Sequence, residues 1–273
     1  MKKIFLVLFT SLYYFNFESL AQKGLKSVIV EKYYVADKQD SKHDLNKALI
    51  EGACTYRIFL ELEPGYKLQA VYGVPNHELI ISTSAFFFND TINGAVKAND
   101  ILKEKINSNT TMLDSWISVG AGAEDYFAVL KKEDNNEEVL KNKYTPLILQ
   151  NNNKELGVPL TEKDGLILMS YQSVVSIFGI DSLLNKIFNR NNISAKGISL
   201  KTTNGSWGSF GGSIGHMPNT NKIIIAQLTT NGDLYFELNV QLGSPDGKIQ
   251  RYVAKNPSEK ELTHKDLIYH TKY

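Results

Sequence analysis

Leu234-Tyr-Phe-Glu-Leu-Asn-Val-Gln-Leu242 decides the fold class. Leu234, Phe236, Leu238, Val240 and Leu242 are apolar, and Tyr235, Glu237, Asn239 and Gln241 fall between them. Side chains of an extended chain point alternately to two faces, so this period of two gives one apolar face and one wetter face. Just upstream, Thr229-Thr-Asn-Gly-Asp233 contains an Asn-Gly step, a pair that accepts the positive φ of a tight reversal. Residues 222–242 are therefore predicted to form a β-hairpin, with 223–228 as its first strand.

Short runs of the same kind recur on both sides. Residues 27–35 are rich in β-branched and aromatic side chains, and in 55–62 Tyr56, Ile58, Leu60 and Leu62 share one face. Glu63-Pro64-Gly65-Tyr66 is a turn, with Pro presetting φ and Gly free to take positive φ, so 55–73 reads as a second hairpin. Further strands are expected at 79–84, 115–119, 126–130, 166–170, 198–202 and 249–254. Many short strands with turns between them favour a sandwich or barrel over alternating βα units. The expected fold is all-β with minor α: an antiparallel β-sandwich, jelly-roll-like, with one or two short helices in the connections.

Helix signals are few. Asp181 reads as an N-cap before Ser182-Leu-Leu-Asn-Lys-Ile-Phe188, and 99–106 is a weaker stretch. Ser258 followed by Glu261 fits a capping box, which predicts a short C-terminal helix through Leu267. Residues 133–164, rich in Asn, Lys and Glu, read as a long surface loop. The domain plan is a leader over 1–21, a β-sandwich over 22–256 and a tail over 257–273.

The first residues specify export. Lys2 and Lys3 precede the apolar run 4–9, and Ser19-Leu20-Ala21 places small residues at both key positions of a cleavage site. This is the pattern of a secretory signal peptide cleaved after Ala21, too short for a membrane anchor. The protein is expected to be secreted or periplasmic, with no transmembrane anchor once the leader is removed. Of 30 basic and 29 acidic side chains, cleavage removes Lys2, Lys3 and Glu18 and leaves 28 of each. That neutrality argues against nucleic acid or an anionic membrane surface as partner. A composition of 42% hydrophobic and 22% charged residues excludes a disordered chain, a collagen-like fibre and a coiled coil. Cys54, the single cysteine, has no partner for an intramolecular disulfide and is expected to be a buried small apolar group.

Chemistry-bearing motifs are weak. Gly211-Gly-Ser213-Ile-Gly215 fits a nucleophile-elbow pattern, yet His216-Met-Pro218 cannot start the helix such an elbow needs. Gly120-Ala-Gly122 lacks the third glycine and the following helix of a dinucleotide loop. His43, His77, His216, His264 and His270 have no metal-ligand spacing, so no metal and no cofactor is expected. A structural calcium held by loop carboxylates such as Glu124, Asp125 and Asp164 is the one exception considered. Glu61 and Glu63 share a strand face, which is too common to mark a glycosidase pair. Asn-x-Ser/Thr sequons at 89, 109, 192 and 204 are set aside because the Lys-Lys leader looks bacterial.

Asn204-Gly-Ser206-Trp207-Gly-Ser209-Phe210-Gly-Gly-Ser213 is the segment of most interest. Trp207 and Phe210, set among glycines with Ser206 and Ser209, are expected on a flexible loop as aromatic platforms for a sugar or a protein partner; the alternative is that both rings tuck into the sandwich edge while the glycines allow bulges. Phe86-Phe-Phe88 and Trp116 are read instead as packing groups.

The motifs Thr55-Tyr-Arg-Ile-Phe-Leu, Pro64-Gly-Tyr-Lys-Leu-Gln-Ala-Val-Tyr-Gly73, Phe86-Phe-Phe-Asn89, Asp114-Ser-Trp-Ile-Ser-Val-Gly120 and Ile225-Ala-Gln-Leu-Thr-Thr-Asn-Gly232 run in that order. Together with Leu238-Asn-Val-Gln241 they resemble a β-rich module of uncharacterised secreted and surface proteins of bacteria, over about residues 27–254. The resemblance implies an extracytoplasmic module and supplies no catalytic residues. The expected function is non-catalytic: binding, adhesion or extracellular assembly, with a glycan or a protein as partner. The alternative is a secreted hydrolase of glycan or another polymer, with an unidentified carboxylate pair.

Overall fold

The computed structural model describes residues 24–108, 110–135, 153, 157–158, 163–169 and 173–271. The leader and most of the expected 133–164 loop lie outside them. In chain order the described residues form β1 (Leu25–Val35), α1 (Lys38–His43), β2 (Cys54–Leu62), β3 (Lys67–Gly73), β4 (Leu79–Thr83), β5 (Trp116–Ile117), β6 (Ala121–Ala123) and β7 (Tyr126–Ala128). There follow β8 (Leu166–Leu168), β9 (Ser176–Phe178), α2 (Asp181–Phe188), β10 (Ile198–Thr202), β11 (Gly205–Ser213) and β12 (Lys222–Thr230). The last elements are β13 (Leu234–Glu237), β14 (Val240–Gly243), β15 (Ile249–Val253), β16 (Glu261–Thr263) and β17 (Ile268–His270). The fold is strand-rich, largely antiparallel and sandwich-like, with few short helices, as the alternation predicts.

The strands make sheets ordered β1-β2-β12-β5, β10-β4-β13-β17, β16-β15-β14-β3-β11-β9 and β6-β7-β8. β2 and β12 sit in the middle of the first sheet, and both of its faces are buried. Tyr56, Ile58, Leu60, Ile223 and Ile225 point into a cluster shared with Leu68, Val71, Trp207, Val240 and Leu242 of the six-stranded sheet. Phe59 and Ile224 point the other way, into a second cluster with Phe86, Phe88, Trp116 and Phe127. A strand buried on both faces reads as a nearly continuous apolar run, which is why Phe59 interrupts the alternation in 55–62. Phe86, Phe87, Phe88 and Trp116 are all buried, as expected of packing groups.

Neither predicted hairpin forms. β2 pairs with β1 and β12, whereas β3, across the Glu63–Tyr66 turn, pairs with β11 and β14. β12 pairs with β2 and β5, whereas β13, across Asn231-Gly232, pairs with β4 and β17. Both turns reverse the chain but carry it from one sheet to another, the connection a sandwich requires.

The expected strand 234–242 is also divided, at Asn239. Its side chain is buried rather than outward-facing: Nδ2 donates to the carbonyls of Tyr72, His77 and Glu78 at 3.1, 3.1 and 3.2 Å, and Oδ1 accepts from Ala254 N–H at 3.1 Å. The amide replaces ladder bonds where the chain changes sheets. Asn89 and Asn221 play similar parts. Asn89 Nδ2 donates to Phe87, Ile187 and Arg190 carbonyls, and Asn221 Nδ2 donates to those of Glu63 and Tyr66.

The helix expectations need correction. The tail forms β16, a 3-10 turn at Lys265–Leu267 and β17, not a helix from 257. Glu261 does accept from Ser258 N–H at 2.8 Å, but the next residues pair with β15 and leave the helical path. Residues 99–106 give only two 3-10 turns. Asp181 begins α2 as its first residue, with Ile180 at the cap position. α1 was missed, although Asp37 and Asp40 cap it reciprocally.

Candidate functional site

Residues 205–213 of this segment are the strand β11, and its alternation separates the two aromatic residues. Trp207 faces inward and is fully buried, its indole N–H donating to the Ser118 carbonyl at 3.2 Å. The expectation that Trp207 forms an exposed contact therefore fails: it belongs to the core, where its apolar area and its single donor are both satisfied. Phe210 is 83% exposed. Ser206 and Ser209 are half-buried near it.

Phe210 owes its exposure to a wide bulge. β11 pairs with β3 through Gly208–Ala70 and then Ser213–Leu68, so five steps along β11 match two along β3. The surplus residues 209–212 loop off the sheet, with Gly211 and Gly212 at φ of 80° and 76°. Gly208 holds the neck of the bulge: a Cβ there would lie 2.0 Å from the Gln69 carbonyl oxygen. Phe178, on edge strand β9, stands beside it at 53% exposure. The two rings meet edge to face with centroids 6.0 Å apart and planes at 85°.

These rings wall a shallow cleft of about 110 Å³. Gly208 and Ala70 form its floor, and Ser176, Ser206, Ser209 and Gln69 place polar groups around it. Residues of small side chain at the floor make the depression. The rings supply apolar area and the hydroxyls and amide supply hydrogen bonds, the usual composition of a small-ligand subsite.

The cleft opens onto one row of the outer face. Successive registers align Ser176, Gly208, Ala70, Gln241, Arg251 and Glu261 across all six strands. Gln241 Nε2 donates to Gln69 Oε1 at 3.0 Å, and Arg251 Nε donates to Gln241 Oε1 at 3.2 Å. The polar groups thus hold one another in fixed orientations. At the far edge Glu261 Oε2 lies 3.0 Å from His77 Nε2. Burial pushes its carboxyl up, but the Ser258 N–H and hydroxyl and the neighbouring His77 together hold it below its ordinary value. Burial also raises the Tyr72 hydroxyl to about 12.

Of the residues expected at a contact, Phe210, Ser206 and Ser209 line this cleft, whereas Phe178 and Gln69, which also line it, and Gln241 and Arg251 beyond it were not among them. Phe178 ends the β-branched run Val174-Val-Ser-Ile-Phe178 just before Gly179, which was the available signal for an edge strand. The others are polar residues of ordinary strands, and only strand pairing gathers them.

The other motifs have local duties. Ser213 is the buried last residue of β11, with no helix after it, so the nucleophile-elbow geometry is absent. Glu124 Oε2 accepts from Lys103 N–H, Asp125 pairs with Lys103 Nζ at 2.6 Å, and Asp164 accepts from Leu166 N–H. Among the described residues no three His, Cys, Asp or Glu side chains converge as a metal site. Against the upward push of burial, the Ser27 hydroxyl and Lys26 ammonium hold Glu61 below its ordinary value, as in a surface pair. Cys54 is buried, and desolvation raises its thiol to about 11.

Among the described residues no helix is long and apolar enough to cross a membrane. Comparison with protein-family models, with curated proteins and with solved structures finds no match to the chain.

Proposed function

We propose that the protein is an exported, non-catalytic binding module that holds an extracellular glycan on the outer face of its six-stranded sheet. The observation that carries this reading is the Phe178–Phe210 pair. Two large rings stand exposed at 53% and 83% over a cleft floored by Gly208 and Ala70. Exposing two adjacent aromatic rings forgoes the burial that would otherwise stabilise them, so such a pair marks a contact surface. The C–H faces of a pyranose fit against aromatic rings, and its hydroxyls match the surrounding serines and amides. Export rests on the leader sequence.

Two features favour binding over hydrolysis. Glycoside hydrolysis needs two carboxylates flanking the scissile bond. Glu261 is the only carboxylate in the row across this face, and it is already engaged by His77 and Ser258.

The test is a glycan and polysaccharide array on the mature protein, with product analysis of every bound polymer. Binding without cleavage, lost in Phe210→Ala and in Phe178→Ala, is the expected result. Cleavage of any polymer, or binding unchanged in both variants, would overturn the reading.

A further inference from the structure

We propose that the bound polymer is acidic, and that Arg251 and Lys67 meet its carboxylate or sulfate groups. This rests on the sheet face being the glycan surface.

The whole sequence carries a formal net charge of only +1, yet this face is biased. Alternation places Lys67, Gln241, Ile249 and Arg251 on it, and the register shift of β3 between Leu68 and Ala70 turns both Gln69 and Ala70 to the same side. Lys67 and Arg251 are exposed, and among the described residues neither forms an ion pair. Nearby cations behave otherwise: Lys248 is paired with Asp246 at 2.7 Å, and Lys255 is paired with Glu237. Glu261, the carboxylate opposite Arg251, is turned to His77 and the Ser258 N–H instead. Arg251 is therefore an exposed cation with no carboxylate partner among the described residues.

It is also oriented. Only its Nε is used, donating to Gln241 Oε1, while Gln241 is fixed in turn by Gln69. That arrangement leaves the terminal fork of the guanidinium for a planar oxyanion, which it can bind through two parallel hydrogen bonds. Arg251 lies three strands from Gly208, or roughly 14 Å at the usual interstrand spacing. Lys67 sits one row along, on the side of the bulge: a Cβ on Gly212 would meet its Cβ at 2.8 Å. A neutral glycan would use the rings and amides and leave both cations idle. An extended acidic one, with one unit against Phe178 and Phe210 and acidic groups further along, uses all of them.

The experiment compares matched polymers by calorimetry: polygalacturonate with its methyl ester, and chondroitin sulfate with its desulfated, carboxyl-reduced form. At least one acidic member should bind about tenfold more tightly than its neutral match, the worth of one charge-assisted contact. That preference should shrink with added salt, vanish in Arg251→Gln, return in part in Arg251→Lys, and weaken in Lys67→Gln. Phe210→Ala should reduce acidic and neutral binding alike. Equal affinity within each pair, or a preference untouched by Arg251→Gln, overturns the acidic ligand while glycan binding stands. Failure of all four polymers and of the array to bind overturns both.

Discussion

Phe178 and Phe210 meet edge to face across the β9–β11 edge, ring centroids 6.0 Å apart, with most of both rings in solvent. An aromatic pair of this geometry contributes about 0.5–1.5 kcal/mol beyond area burial when it is desolvated, and less when it is wet. Phe210→Ala is therefore expected to lower unfolding stability by under about 1 kcal/mol, while abolishing ligand binding. Urea unfolding measured beside the array separates the two. A loss of several kcal/mol would assign Phe210 to folding and remove the argument for a contact surface.

Trp207 is the counterpart, three residues away and facing the other side. Trp207→Ala should cost about 3–5 kcal/mol as a large-to-small change in a packed core. Trp207→Phe should still cost about 1–3 kcal/mol, because the buried Ser118 carbonyl loses its donor. Any glycan affinity that survives in folded Trp207→Phe should equal that of the parent chain. A selective loss of binding in a stable Trp207→Phe protein would return Trp207 to the contact surface.

What could be read locally was read well, and what depends on partners was not. Alternation correctly marked Leu234, Phe236, Val240 and Leu242 as core, because period two is a property of one strand. It says nothing about which sheet a strand joins. Asn231-Gly232 and Pro64-Gly65 signal reversal, and a reversal serves a hairpin or a crossover equally well. Trp207 was misplaced because the surrounding glycines suggested a loop. Those glycines instead allow close strand approach at Gly208 and a bulge at Gly211 and Gly212. Arg251 and Gln241 had no local signature at all, since their meaning comes from registers with β3, β14 and β16.

Asn239 joins β13 to β14 by satisfying three carbonyls and one N–H. Asn239→Ala would leave those buried groups unpaired, at roughly 2–4 kcal/mol. Asn239→Asp should be worse, since a carboxylate would face the Tyr72, His77 and Glu78 carbonyls and could donate nothing to them while ionised. Thermal unfolding of both variants decides it. A neutral Asn239→Ala would mean that water replaces the amide and that the sheet switch is held by packing alone.

Gly208 and Gly211 are needed for different reasons, and alanine at each tells them apart. A Cβ on Gly208 would lie 2.0 Å from the Gln69 carbonyl oxygen, so Gly208→Ala must push β3 and β11 apart and should cost about 3 kcal/mol or more. A Cβ on Gly211 meets nothing within 4 Å, and only its φ of 80° is at issue, at about 1–2 kcal/mol. Gly208→Ala should also lose binding by raising the cleft floor. Equal costs at the two positions would contradict the close approach at the neck of the bulge.

Asp40 supplies the pH test. Burial raises its carboxyl from an ordinary 3.8 to about 6, against the hydrogen bonds from Asp37 N–H and the Tyr34 hydroxyl that favour the charged form. A folded-state value above the unfolded one means that the folded protein binds the proton more tightly. Asp40 therefore favours folding most below about pH 4, and that advantage is lost as pH rises to about 6, a swing of about 3 kcal/mol. Asp40→Asn keeps an acceptor for both donors and cannot ionise. The stability difference, variant minus parent, should rise between about pH 4 and pH 6 and stay level above that range. Parallel curves for the two proteins across this window would show that Asp40 titrates as a solvated carboxylate, and that the Tyr34–Asp40 contact opens in solution.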